Sequence, residues 1–309
     1  MNKNRVQFKR NQPSYLGLYR KGELRKRAEA LYDKLQNCDI CPHQCSVNRL
    51  KDEEGICGVG RKALVSSYGP HFGEEPPLVG VNGSGTIFFA GCNLKCIFCQ
   101  NYDISHFGMG EITEEEKIAD MMIHLQNIGC HNINFVTPTH VVAQIVGALE
   151  KAVSKGLSIP LVYNSGGYDS LSTLELLEDV FDIYMPDFKY GDVKIGERFS
   201  SAPNYTGIAK LAIKEMHRQV GDLICDANGI ANKGLVIRHL VLPGDLAGTE
   251  KVMSFIAEEI SKKSYVNLMD QYRPMYKADR FREIARRILP NEFRKAEKIT
   301  TQYGIKVNW

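Results

Sequence analysis

The chain has 309 residues, 43% of them hydrophobic and 24% charged, with a net charge of +3. That composition can bury a substantial core, as one large domain or one domain with an appendage, and argues against global disorder. No apolar run is long enough to span a bilayer, and the polar, basic N-terminus lacks the apolar stretch of a signal peptide, so a cytoplasmic location without a membrane partner is expected.

A disulfide framework is not expected there, so the nine cysteines need another explanation. Seven fall into two groups: Cys38, Cys41, Cys45 and Cys57, then Cys92, Cys96 and Cys99. Cys130 and Cys225 stand alone and read as small buried hydrophobes.

In chain order, residues 1–27 come first, with nine Lys/Arg against one Glu, or +8 against −5 for the remainder. Such an arm, interleaved with Phe8, Tyr15, Leu16 and Tyr19, attracts nucleic acid or an acidic protein surface, or is a solvated tail. It carries no recognisable nucleic-acid motif. Residues 22–37 predict a helix with Leu24, Ala28, Leu31 and Leu35 on one face. After the first cysteine group, the Gly- and Pro-rich stretch between Cys57 and about Gly85 reads as extended linking chain.

From there strands and helices alternate. "GTIFFAG" (85–91) predicts a buried strand. Residues 113–129 predict a helix opened by a capping box of Thr113 with Glu116. Further strands are expected at 133–137, 160–164, 182–187, 235–242 and 265–269, and helices at 141–154 and 249–260. "DRFREIARRILP" (279–290) reads as a C-terminal helix with arginines on one face, usually a solvated face but one able to dock a partner. Six short apolar strands alternating with helices predict βα units and a parallel sheet buried on both faces. In such folds functional residues gather beyond the carboxyl ends of the strands, and the three-cysteine bend begins where the first strand ends.

Thiolates select soft or borderline metals and iron–sulfur clusters. Three thiolates on a cubane [4Fe–4S] cluster leave one iron open to a substrate, as a catalytic zinc keeps a position for water. The spacing Cys92-x3-Cys96-x2-Cys99 lets one loop wrap a cube, with Leu94, Ile97 and Phe98 excluding water. The competing reading is zinc completed by a distant residue such as Cys130 or His131.

"GCNLKCIFCQNYDIS" resembles the cluster loop of radical S-adenosylmethionine (SAM) enzymes. It is most similar to that of pyruvate formate-lyase activating enzyme and other glycyl-radical-enzyme activases, in which a Cys-x-Asn-x-Asp run includes the third cysteine. The resemblance covers about residues 81–275. It implies an α/β fold, a partial (β/α)6 TIM-like barrel over 81–309 with C-terminal helices, preceded by a Cys-rich extension over 1–80. It further implies a [4Fe–4S] cluster on Cys92, Cys96 and Cys99, the catalytic centre, with the amino and carboxylate groups of SAM on the fourth iron and a 5′-deoxyadenosyl radical as the product of reductive cleavage. A reductant such as flavodoxin or ferredoxin would supply the electron.

The same resemblance places Phe98 and Asn101 beside the cofactor, together with Asp187 and Lys189 from "MPDFKYGD" and Arg238 from "IRHLVLPG". Lys189 would neutralise the methionine carboxylate, while Arg238 would sit near that carboxylate or the ribose. A structural salt bridge is the competing reading for each cation. Asn164 and Ser165 of "VYNSGGYD" would reach ribose hydroxyls, unless the segment is only a Gly-rich turn. After the second strand, where activases have Gly-Gly-Glu-Pro, this chain has Thr137-Pro138-Thr139-His140. Thr137 or Thr139 would then receive the SAM amino group without a carboxylate. At the sixth strand, Asp270, Gln271 and Tyr272 stand where an activase often has a histidine.

The first group, Cys38-x2-Cys41-x3-Cys45-x11-Cys57, suits a closed zinc site or an auxiliary iron–sulfur cluster, with His43 as a substitute ligand. Three functions are therefore weighed: an activase abstracting a glycine Cα hydrogen from a large partner enzyme, a radical SAM enzyme acting on another peptide, RNA or a small molecule, and a non-catalytic iron–sulfur or zinc protein. The open three-cysteine loop argues against the third.

Overall fold

The structure is a computed structural model and describes residues 12–308. Phe8 and the first eleven residues of the basic arm therefore lie outside the described residues. Among the described residues ten strands form one sheet: β1 Ala63–His71, β2 Ser84–Phe89, β3 Glu111–Thr113, β4 Ile133–Val136, β5 Leu161–Asn164, β6 Ile183–Tyr184, β7 Ile224–Cys225, β8 Ala231–Leu240, β9 Tyr265–Met269 and β10 Val307–Asn308. The order is β10-β9-β8-β6-β5-β4-β2-β1-β3, with β7 on β8. β2, β4, β5, β6, β8 and β9 pair in parallel, so the six expected strands make an open, partial TIM-like barrel.

The core follows the apolar patterns. The Val142–Ser154 helix buries Val142, Ile145, Ala148, Leu149 and Ala152, and the Glu23–Asp33 helix buries Leu24, Ala28 and Leu31. Leu35, past the end of that helix, is also fully buried. Burying a single Val, Leu or Ile side chain is worth about 1.5–3 kcal/mol, so these faces hold the Glu23–Asp33 helix against the Val142–Ser154 helix. The N-terminal helix Tyr15–Arg20 is tied to the barrel at its first turn: Asp182 accepts from the Ser14 and Leu161 amides at 2.9 and 3.1 Å. No described helix is long and apolar enough to cross a membrane.

Four expectations fail, each for a local reason. The stretch between Cys57 and Gly85 contains β1, which pairs antiparallel with β2. β3 reaches only its first three residues, so Pro70 lies where the outer edge needs no donor. Thr113 belongs to β3, and its hydroxyl donates to the Glu111 carbonyl at 2.8 Å. The expected capping box is therefore absent; the helix starts at Glu115, and the Glu116 carboxylate pairs with Lys155. Residues 279–290 form only a 3-10 turn, Ala278–Arg280, and the helix runs from Pro290 to Gln302, because proline starts a helix more readily than it continues one. Cys130 is buried as read, but Cys225 is exposed on the two-residue β7.

The β1–β2 connection also shapes the barrel. Leu78 packs with Val162, Ile183, Met185, Ala231 and Val236 in a small apolar cluster. Glu75 accepts from Asn267 of β9 at 2.9 Å, so this connection, which begins beside β2, reaches across to β9.

Candidate functional site

The three-cysteine loop leaves β2 at Gly91, whose φ of +81° and crowded surroundings both demand glycine. A Cβ there would stand 2.7 Å from the Cys57 carbonyl and 2.6 Å from Val59. The loop has no regular structure and is fixed by hydrogen bonds from several directions. Ile97 N donates to Phe199 O at 3.0 Å, Ser201 N to Leu94 O at 2.7 Å, and Lys277 N to Ile97 O at 2.9 Å. The Asn93 amide reaches the Tyr168 carbonyl at 2.8 Å, and a His43 ring nitrogen meets the Asn93 carbonyl at 2.7 Å. Thus His43 buttresses the cluster loop.

Each of the three sulfurs receives at least one donor. The Leu94 amide lies 3.3 Å from Cys92 Sγ, Ser200 Oγ 3.0 Å from Cys96 Sγ, and Ser105 Oγ 3.2 Å from Cys99 Sγ. Burial pushes the Cys92 thiol up and the Cys96 thiol to about 12, with Lys189 acting against it at Cys96. Such thiols lose their protons only to a strong positive centre, and a bound iron cluster is one.

Beside the loop a cavity of about 390 Å³ is lined by Cys96, Phe98, Cys99, Asn101, Asn164, Asp187, Lys189 and Arg238. Phe98 is held edge-on to Tyr272 and Tyr190, at ring separations of 5.6 and 6.4 Å. Asp187 and Arg238 are brought side by side because the β6–β8 pairing continues past the end of β6. Arg238 Nε donates to Asp187 Oδ1 at 2.8 Å and Nη2 to Asn164 Oδ1 at 2.7 Å, while Lys189 pairs with the other Asp187 oxygen. Burial alone would push the Asp187 carboxyl up, but Arg238 and Lys189 together hold it below the ordinary carboxylate range. Both cations are thus in a salt bridge, yet an ammonium has three donors and Asp187 engages one face of it. Asn164 Nδ2 is buried without a hydrogen-bond partner among the described residues, on a side chain that lines the cavity.

Thr139 and Ser165 are placed elsewhere. Their hydroxyls, with that of Tyr163, converge on the buried Asp169 at 2.7, 2.7 and 2.9 Å. That cluster locks the turn after β5. Thr137, at φ 60°, donates its amide to the Asn164 carbonyl at 3.0 Å, and neither it nor Cys92 lines the cavity. Of the sixth-strand residues, Gln271 lines it, whereas Tyr272 supports Phe98 and donates to the Ile284 carbonyl at 2.7 Å.

Sequence reasoning missed Glu74. Its side chain, 8% exposed, lines the same cavity, 3.9 Å from Arg238 Nη1 and 3.2 Å from His71 Nδ1. Burial raises its carboxyl, with Arg238 opposing. The missed signal was two adjacent acids, Glu74 and Glu75, in a stretch read only for its glycines and prolines.

In the first cysteine group Cys38, Cys41 and Cys57 are buried and Cys45 partly so. Burial pushes Cys41 to about 12, with Cys57, Cys38 and Cys45 adding to the shift, so the four thiols share one neighbourhood. Among the described residues, no three His, Cys, Asp or Glu side chains close onto one point as a ready-made metal site.

Parallel βα units with a three-thiol loop at the carboxyl end of the first parallel strand define a partial barrel with soft-metal donors at its functional end. The family model "Radical SAM superfamily" matches residues 86–255, just over half of the chain, and the chain belongs to that superfamily. Membership implies a [4Fe–4S] cluster and SAM. The donor set on the loop and the unpartnered Asn164 amide fit those groups. A curated relative, the uncharacterized protein MJ0674 of Methanocaldococcus jannaschii, is 35% identical over 289 residues, covering 90% of this chain and 78% of its own. Two solved structures are similar at lower levels. Streptococcus suis SuiB bound to S-adenosylmethionine has a TM-score of 0.46 and 14% identity, covering 69% of this chain and 45% of its own. HydG, a maturase of the [FeFe]-hydrogenase, has a TM-score of 0.47 and 13% identity, covering 94% and 63%. The chain thus spans under two thirds of either structure's length.

Proposed function

We propose that this protein cleaves SAM reductively and abstracts a hydrogen atom from a carbon of a second, bound substrate. The observation that carries this reading is the single cavity in which Cys96 and Cys99 meet Asn164, Asp187, Lys189 and Arg238. Cys92, Cys96 and Cys99 would hold a [4Fe–4S] cluster, which when bound supplies the electron that splits the carbon–sulfur bond. Lys189 and Arg238, oriented by Asp187, would bind the methionine carboxylate. The Asn164 amide would donate to a ribose oxygen, and Phe98 with Leu94 would keep water from the sulfurs. The first cysteine group would hold zinc or an auxiliary cluster and stiffen the lobe behind the loop.

For the substrate, a glycine of a glycyl radical enzyme is supported by Cys99-x-Asn101-x-Asp103. Against it stand the absence of Gly-Gly-Glu-Pro after β4 and the different polar wall at Asp270 and Gln271, so a substrate of another kind is the reading carried here. Anaerobically reconstituted protein given dithionite and SAM should yield 5′-deoxyadenosine, and Cys96→Ala should abolish it. A fully iron-loaded protein that forms none would refute the proposal.

A further inference from the structure

A second cavity, of about 760 Å³, opens next to the first. Its walls are the chain that follows β9, residues 270–273, and the turn into the C-terminal helix, residues 287–294. The two cavities share Gln271, whose carbonyl accepts from the Gln100 side chain at 2.8 Å, one residue past Cys99. Anything seated here therefore lies against the wall of the cofactor cavity, on the face of the barrel where the cluster loop stands. The lining of this second cavity lies wholly outside the stretch matched by the superfamily.

The lining has two characters. Tyr272, Leu289 and Phe293 make an apolar floor, and Arg273, Arg287 and Arg294 stand around it. Their neighbour Arg286 is neutralised by a two-point pair with Glu292, at 2.8 and 2.7 Å. Arg273 and Arg287 have no such partner among the described residues, and Arg294 donates only to the Pro290 carbonyl at 3.3 Å. Among the described residues Asp270 is the single carboxylate in the lining, so three guanidinium groups stand with one negative charge. Guanidinium forks match carboxylate and phosphate oxygens in pairs, and a cavity of this size takes a small organic molecule.

We propose that this cavity anchors a substrate of the radical chemistry through a carboxylate or phosphate group, with an apolar portion of the substrate on the Tyr272–Phe293 floor and its reacting carbon directed past Gln271. The inference rests on the function proposed above and adds the chemical class of the substrate.

The test measures binding by equilibrium dialysis on the full-length, cluster-loaded protein at 0.15 M salt, where loose surface attraction is screened. The probes are benzoate, phenyl phosphate and the neutral benzamide. At least one anion should bind tenfold or more tightly than benzamide, and the tighter of the two identifies the group. The double change Arg273→Gln and Arg287→Gln should reduce that anion to the benzamide level, while Arg280→Gln, outside the lining, should not. These are exposed side chains, so circular dichroism should be unchanged. Equal binding of charged and neutral probes, or anion binding that survives the double change, would overturn the proposal. Formation of 5′-deoxyadenosine on the same preparation reports separately on SAM cleavage, so the two readings fail independently.

Discussion

The backbone amide of Cys92 donates to the carbonyl of Cys57 at 3.3 Å, so the last thiol of the first group and the first thiol of the second are joined main chain to main chain. The residue before Cys92 is Gly91, and its missing side chain is what permits this approach. Gly91→Ala would combine a left-handed backbone with overlap on Cys57 and Val59. We expect a loss of about 1–3 kcal/mol in stability and a reduced iron content after reconstitution. Thermal denaturation and iron analysis measure both, and a fully loaded, equally stable variant would mean that the two lobes are not coupled here.

The same contact predicts communication between the thiol groups. Under the proposed metal site of the first group, changing Cys38 and Cys41 together to serine should release its metal and also lower iron retention at Cys92, Cys96 and Cys99. Metal analysis during dialysis against a chelator reads each population. Independent loss would show that the amino-terminal lobe leaves the cluster loop unaffected.

Ser200 donates to Cys96 while itself meeting Tyr190 at 2.8 Å. A metal-bound thiolate has no proton, so the direction becomes fixed from Tyr190 to Ser200 to sulfur. Hydrogen bonds to ligand sulfurs withdraw electron density and ease reduction. Ser200→Ala should therefore lower the midpoint potential of the cluster, and a tenfold drop in the reduced-to-oxidised ratio would correspond to about 59 mV. Potentiometric titration followed by electron paramagnetic resonance checks this, and an unchanged potential would assign the serine to packing alone.

Asp187 is shared by two buried cations, one on each carboxylate oxygen. Asp187→Ala leaves Lys189 without its carboxylate and Arg238 with only the longer contact to Glu74, which should cost about 3–5 kcal/mol. Asp187→Asn keeps the shape and one acceptor, so it should fold better while weakening SAM binding, because the cations lose their common anchor. Chemical denaturation and SAM equilibrium dialysis separate these effects.

Asp182, which accepts the Ser14 and Leu161 amides, is pushed up to about 6 by burial. The native state thus holds this proton more tightly than the unfolded chain, whose aspartates titrate near 3.9. Its contribution is fully present below that value and is lost as the pH rises through about 6, an effect of about 3 kcal/mol. Denaturation midpoints measured from pH 4 to 7 should fall less steeply in Asp182→Asn than in the parent.

Much was legible in the chain because the relevant signals are local. Short apolar strands, amphipathic helices and the spacing of Cys92, Cys96 and Cys99 all depend on residues within a few positions of one another. The alternation of these units indicated a parallel sheet, and the loop followed its first strand as expected. The sequence could not say that Ser165 and Thr139 face Asp169 instead of the cavity, since which way a turn side chain points depends on the buried acceptor it meets. Nor could it foresee that Glu74 lines the cavity, because its neighbour Glu75 reaches Asn267, 192 residues away.

Pairing at the edges was equally a tertiary outcome: β1 exists because β2 offered it an open edge, and Thr113 became a strand end instead of a cap for the same reason. The amino-acid order determined which groups can bind soft metal and where the chain turns. Only the closing of distant segments onto one another decided which charges are paired, which arginines are left free, and which polar groups border the cavity.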